Sequence, residues 1–184
     1  MSSVFYLRSG NSWKPVTDDS TGAVIIHAGF RSEVIRRDRK AYVTARFADL
    51  AVVRLKEPLK NAVPDGKIRS EEVLLHDAAI VVGFGATGAG PPASNERRVG
   101  RNKVAMLRAL DTQGAREIRF LFPGAHTHQG DSGGPCFREE GDVRWLVGIN
   151  GGYVASETAP ESWFTSTSSY REWIERQIEE ARKM

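Results

Sequence analysis

Gln129-Gly130-Asp131-Ser132-Gly133-Gly134-Pro135 is the stretch of this chain whose residue types and order can do chemistry. A serine held in a tight, glycine-lined turn presents its hydroxyl while the amides of Gly130 and Ser132 converge on one small space. Converging donors of that kind stabilise an oxyanion as it develops on an attacked carbonyl. Glycine is required because a side chain would block the approaching substrate or forbid the backbone angles. A serine hydroxyl is a poor nucleophile near neutral pH, so the chemistry also calls for an adjacent base.

Two other patterns could carry chemistry and point elsewhere. Gly83-Phe84-Gly85-Ala86-Thr87-Gly88 fits the G-x-G-x-x-G dinucleotide signature letter for letter. That signature needs a helix opening at its last glycine, and Ala89-Gly90-Pro91-Pro92 stops a helix at once, so a strand followed by a turn is expected and no cofactor. His126 and His128 would share one face of a strand, but no third ligand is placed by spacing, so no metal is expected. Arg36, Arg37, Arg39 and Lys40 form one basic knot and Arg97, Arg98, Arg101 and Lys103 another. Acidic residues interrupt both and no aromatics are interleaved, so they read as solvated loops.

The elements that must position the serine are short. Apolar runs at 23–27, 50–55, 73–84, 103–110, 117–122, 144–149 and 162–165 have strand length, are rich in Val, Ile and Phe, and are bounded by turn formers. They predict an all-β fold. Only the tail is helical in pattern, with Tyr170, Trp173, Ile174, Ile178 and Ala181 at helical spacing and Ser169 with Glu172 as a capping box, so a helix is expected to start near Ser169. The loop 85–101 is aperiodic and can join two halves of similar type.

Composition bounds the rest. The 184 residues are 40% hydrophobic, enough for one domain with a real core, and 26 basic against 23 acidic residues leave a net charge of only +3. Nucleic acid is therefore not indicated as a partner. No apolar run approaches the ~20 residues of a membrane-crossing helix, and 1–10 lacks the basic start and apolar stretch of a secretory signal. The single cysteine, Cys136, excludes an internal disulfide and is expected to be a buried free thiol.

The serine loop resembles the nucleophile loop of the chymotrypsin/trypsin-like serine proteases, and further landmarks follow in that family's order. Ala48-Asp49-Leu50-Ala51-Val52-Val53-Arg54-Leu55 resembles the segment whose buried aspartate orients the catalytic imidazole. Val81-Val82-Gly83-Phe84-Gly85 is similar to the strand opening the second barrel. Trp145-Leu146-Val147-Gly148-Ile149, Trp163-Phe164-Thr165 and Tyr170-Arg171-Glu172-Trp173-Ile174 resemble the strand after the nucleophile, the closing strand and the terminal helix. The likeness covers roughly residues 22–180.

It implies two packed antiparallel β-barrels with a C-terminal helix in one domain over 1–184. The remainder of a first barrel would occupy 1–84, the linking loop 85–101, the second barrel 102–168 and the helix 169–184. The resemblance also implies hydrolysis of a polypeptide substrate, with Ser132 as nucleophile, Asp49 as orienting acid, and Gly130 and Ser132 amides as oxyanion hole. His126, Gly151 and Tyr153 fall where the substrate side chain is received. His126 replaces the acidic pocket floor of trypsin-like members, so a preference for Lys or Arg is not implied. Asp131 matches the residue that in many relatives pairs with a newly cut amino terminus, and the family's proteins are mostly secreted.

The family's Thr-Ala-Ala-His-Cys segment has no counterpart here. The one histidine before Asp49 is His27, in Val24-Ile25-Ile26-His27-Ala28-Gly29-Phe30, which resembles a later, non-catalytic Ile-His-Pro-Gly-Tyr strand and loop. Three readings stay open: a first barrel without its opening strands and without the base, His27 as the base, or a binding module on a protease scaffold.

Overall fold

The computed structural model describes residues 6–9, 12–15, 21–37, 40–57, 67–87, 96–112, 114–154 and 159–183. Strands dominate the described residues, as the apolar runs of strand length predict. β1 (Tyr6–Ser9) and β2 (Ser12–Pro15) form a hairpin. β3 (Thr21–Ile26) pairs antiparallel with β6 (Ala51–Leu55), and β4 (Arg31–Arg37) pairs antiparallel with β5 (Lys40–Phe47), as two separate two-stranded sheets. Of the first basic knot, Arg36, Arg37 and Lys40 thus lie in the β4–β5 pair rather than in a free loop, and Arg39 lies outside the described residues. β4 and β5 escape the apolar-run criterion because charged residues interrupt them, and β4 is exposed along its whole length.

The larger sheet has eight strands. β7 (Lys67–Ile68), β8 (Ala78–Gly83), β9 (Arg98–Lys103), β10 (Met106–Ala109), β11 (Arg116–Leu121), β12 (Pro135–Glu140), β13 (Val143–Val154) and β14 (Glu161–Ser166) build it. Its order is β10-β11-β14-β13-β12-β8-β9, with β7 parallel to β13. Its two end strands, β9 and β10, are successive in the chain, and at their junction Ala105 N–H donates to the Arg119 carbonyl of β11. β7 and β8 lie before residue 85 in sequence yet pair into this sheet, because Ala79 and Val81 of β8 pack in its core with Ile118, Phe120, Cys136, Val147 and Phe164. The rings of Phe120 and Phe164 meet edge to face with centroids 5.3 Å apart.

The second basic knot is likewise strand, with Arg98, Arg101 and Lys103 in β9. Of the apolar run 73–84, only 78–83 is strand; the chain turns at Leu75–His76, where His76 takes φ 69°.

A 3-10 turn at Ser168–Tyr170 leads into α1 (Arg171–Arg182), the only α-helix among the described residues. The expected capping box does not form. The helix is capped at Tyr170 with no side-chain bond, because the 3-10 turn draws Ser169 into the coil, where its hydroxyl is buried without a partner. No described helix is long and apolar enough to cross a membrane.

Candidate active site

The serine loop is two successive four-residue turns. Asp131 N–H donates to the His128 carbonyl at 3.1 Å, closing the first, and Gly134 N–H donates to the Asp131 carbonyl at 2.9 Å, closing the second. The third residue of each is a glycine with positive φ, Gly130 at 96° and Gly133 at 80°. That is the backbone of a type II turn, open to glycine at almost no cost. Gly134 is demanded by space instead, since a Cβ there would lie 2.8 Å from the carbonyl oxygens of both Asp131 and Val82.

The turns are hung from β13, where Gly133 N–H donates to the Asn150 carbonyl at 2.9 Å and Asn150 N–H donates to the Gly134 carbonyl at 2.8 Å. Ser132 is exposed at the tip. Among the described residues the amides of Gly130 and Ser132 donate to nothing, which leaves both free for an incoming oxygen.

Asp131 turns inward and anchors the loop from below. Its Oδ1 accepts the Gly85 N–H at 2.6 Å and its Oδ2 accepts the His128 N–H at 2.9 Å. A Cβ on Gly83 would overlap Oδ1, and one on Gly85 would sit 2.5 Å from it. The glycine pattern that imitates a dinucleotide signature therefore makes room for a carboxylate. The Gly85 peptide is held on its other side too, its carbonyl accepting from Arg98 Nη1. Together Asp131, Gly83, Gly85, Arg98 and His126 line part of a cavity of about 340 Å³ behind the loop.

Asp49 reaches the same part of β13. Its Oδ2 lies 3.6 Å from where a Cβ on Gly151 would stand, one residue beyond Asn150. The expectation of a buried acid is corrected: its side chain keeps 28% of its exposure and pairs with a cation, Arg46 Nη1 standing 3.3 Å from Oδ2. The same Nη1 donates to the Gly151 carbonyl at 2.6 Å, tying β5 to β13 across the acid. The turn carrying Asp49 is strained at Ala48, which takes φ 47°, and is held by Tyr170 Oη, which accepts the Ala48 N–H at 3.0 Å. Burial pushes the Tyr170 phenol above its ordinary pKa, with the Asp111 charge adding to the rise.

None of the four histidines hydrogen-bonds to Asp49 or Ser132 among the described residues. His27 faces α1: its ring packs edge-on against Tyr170 and Trp173 at 5.1 and 4.9 Å, and its Nδ1 accepts the Gly29 N–H at 3.0 Å. His126 and His128 lie on the loop's other flank, their ring centroids 5.0 Å apart, and His128 meets the Tyr153 ring at 5.4 Å. Ring contacts thus connect His126 through His128 to Tyr153, which stands two residues beyond Gly151 on β13. Gly151 and Gly152 are backed by Trp163, which a Cβ on either would crowd.

Arg46 and Asn150 are the contributors that sequence reasoning missed. Arg46 stands three residues before the acid, and Asn150 stands immediately before the glycine pair. Among the described residues no group of three His, Cys, Asp or Glu side chains could hold a metal ion.

Comparison with known proteins agrees with the architecture. A solved structure of a mutant of human heparin binding protein superposes with a TM-score of 0.57 at 17% sequence identity, covering 73% of this chain. The aligned portion spans 59% of that protein's length. The sequence profile of the trypsin family matches residues 16–174. The double turn around Ser132, the mostly antiparallel strands with a C-terminal helix, and a match over most of the sequence have one common explanation: the chain belongs to the trypsin family.

Proposed function

We propose that this chain carries the nucleophile, oxyanion site and orienting acid of a serine endopeptidase. The observation that carries the reading is the pair of unoccupied amides, Gly130 and Ser132, beside an exposed serine on a loop closed by two turns and anchored through Asp131 and Asn150. In this reading Ser132 Oγ attacks the carbonyl carbon of a polypeptide whose side chain is received beside His126, Gly151 and Tyr153. Its proton passes to an imidazole that Asp49 orients, and the two amides hold the oxyanion. Collapse expels the amine, which takes that proton, and water then hydrolyses the acyl-serine.

Among the described residues no histidine hydrogen-bonds to Asp49 or Ser132, so turnover requires an imidazole to be brought between them. Losing the base of such a triad costs about 10⁶-fold in rate. The test is therefore covalent: incubate the protein with a fluorophosphonate and map the adduct by mass spectrometry. Modification at Ser132, absent in Ser132→Ala, is expected. An unmodified Ser132 after prolonged exposure defeats the proposal.

A second reading, a binding module that holds polypeptides without cutting them, is favoured by Arg46. Its guanidinium occupies the Asp49 carboxylate and the Gly151 carbonyl where an oriented imidazole would have to compete. That reading expects saturable peptide binding with Ser132 unmodified.

A further inference from the structure

β4 is exposed at all seven of its positions. Val34 and Ile35, successive residues that point to opposite faces, keep 50% and 41% of their exposure, so the rest of the molecule covers neither face. One edge of β4 pairs with β5, and the two make a sheet of their own. The register shift in that pair puts the extra residue, Thr44, on β5, so β4 itself runs unbroken. The Arg31 guanidinium lies 3.7 Å from the centre of the Phe47 ring and fastens the start of β4 to the end of β5. An accessible edge strand with adjacent exposed valine and isoleucine is a template for another strand.

The charges along β4 say which strand fits. Two copies of one strand that meet edge to edge about a two-fold axis run antiparallel, and the axis sets one residue opposite its own copy. That central residue fixes every other pair. Centred on Ile35, Glu33 falls opposite the partner's Arg37, and Arg37 opposite the partner's Glu33, on the same face as the central isoleucines. On the other face Val34 falls opposite the partner's Arg36, whose aliphatic stem can cover it. Centred on Val34, Arg31 would oppose Arg37; centred on Glu33 or Arg36, like charges would meet at the axis. Opposite charges directly across a strand pair stabilise it and like charges destabilise it, so only the Ile35 register is self-complementary.

We infer that the outer edge of β4 is a dimer interface, on which a second copy of this chain lays its own β4 antiparallel about Ile35 to make one four-stranded sheet. The inference stands whether or not Ser132 is a nucleophile. It touches the candidate site all the same, because β5, the inner strand of the pair, carries the Arg46 that bonds Asp49 and the Gly151 carbonyl.

The experiment is sedimentation velocity over a concentration series for the wild type, Glu33→Arg, Arg37→Glu, and an equimolar mixture of the two variants. The wild type is expected to dimerise. Each variant alone turns both opposite-charge pairs into like-charge pairs, so its dimer dissociation constant is expected to rise at least about tenfold. In the mixture the two substituted positions face each other at one end of the interface and the native Glu33–Arg37 pair re-forms at the other. Association is then expected to return to within about threefold of the wild type. A wild type that stays monomeric at every concentration, as it would if the edge received a foreign strand or none, overturns the inference. So do variants that associate like the wild type, or a mixture no tighter than its parts. Hydrogen exchange in the wild type gives a readout that needs no variant to fold: exchange across Arg31–Arg37 is expected to slow as concentration rises, and exchange independent of concentration overturns the inference.

Discussion

Asp131→Ala removes the acceptor that two backbone amides share beneath the serine loop, Gly85 N–H at 2.6 Å and His128 N–H at 2.9 Å. A buried donor left unpaired costs about 1–3 kcal/mol. Both amides are only partly buried and water recovers some of that, so about 2–4 kcal/mol is expected for the two. In a domain of this size that corresponds to a fall in Tm of about 4–16 °C, read by near-ultraviolet circular dichroism. The sharper measurement is a double-mutant cycle with Gly83→Ala.

In the wild type a Cβ on Gly83 would overlap the Asp131 carboxylate, so Gly83→Ala must expel that side chain from its cradle and lose the same bonds. Once the carboxylate is gone, the nearest atom that remains is the Asp131 Cβ at 3.3 Å, and the added methyl fits with small adjustment. Gly83→Ala is therefore expected to cost several kcal/mol alone and about 1 or less on top of Asp131→Ala. Equal costs in the two backgrounds would refute the claim that these glycines exist to seat the carboxylate.

Tyr170→Phe leaves the Ala48 amide without its acceptor at 3.0 Å and is expected to cost about 1–3 kcal/mol in a urea titration. The raised phenol pKa also gives the wild type a pH dependence: its stabilisation is complete below the ordinary tyrosine value near 10 and is lost as pH rises through the higher folded value. Tyr170→Phe should lack that alkaline loss, and an unchanged profile would count against burial as its cause. Cys136 is buried and its thiol is pushed far up by desolvation, so Ellman's reagent is expected to leave the native protein untouched and to titrate one thiol in urea. Ser169→Ala is expected to leave Tm unchanged or slightly higher, because the hydroxyl makes no cap bond; a loss near 1 kcal/mol would restore the capping box.

The serine loop was the most legible part of the sequence because its glycines answer to local geometry: two turns with positive φ leave few residues a choice. The strands of the main core were legible from composition, since Ile118, Phe120, Val147 and Phe164 sit in short runs dominated by apolar residues. β9 and β12 were not, because Arg-Val-Gly-Arg-Asn-Lys and Pro-Cys-Phe-Arg-Glu-Glu take their strand state from the partners on either side, β8 for one and β8 with β13 for the other. Around the acid, the sequence marked Asp49 but not its company. That Arg46 folds back over three residues to reach both Asp49 and Gly151 depends on how β5 meets β13, a tertiary fact with no local signature. Gly83 ends strand β8 as read, yet the reason for the glycines at 83 and 85 lay in Asp131, 46 residues beyond Gly85.

The bond from Ala48 to Tyr170 spans 122 residues, so the turn bearing the acid is pinned by a side chain made long after it. At the usual pace of about 5–20 residues per second, the ribosome needs roughly 6–24 s to cover that interval. The nascent polypeptide can lay down its strands during that time, but the acid's turn stays unlatched until the tail has emerged and docked. Any cleft built from Asp49 and Ser132 is consequently among the last features of the molecule to take shape.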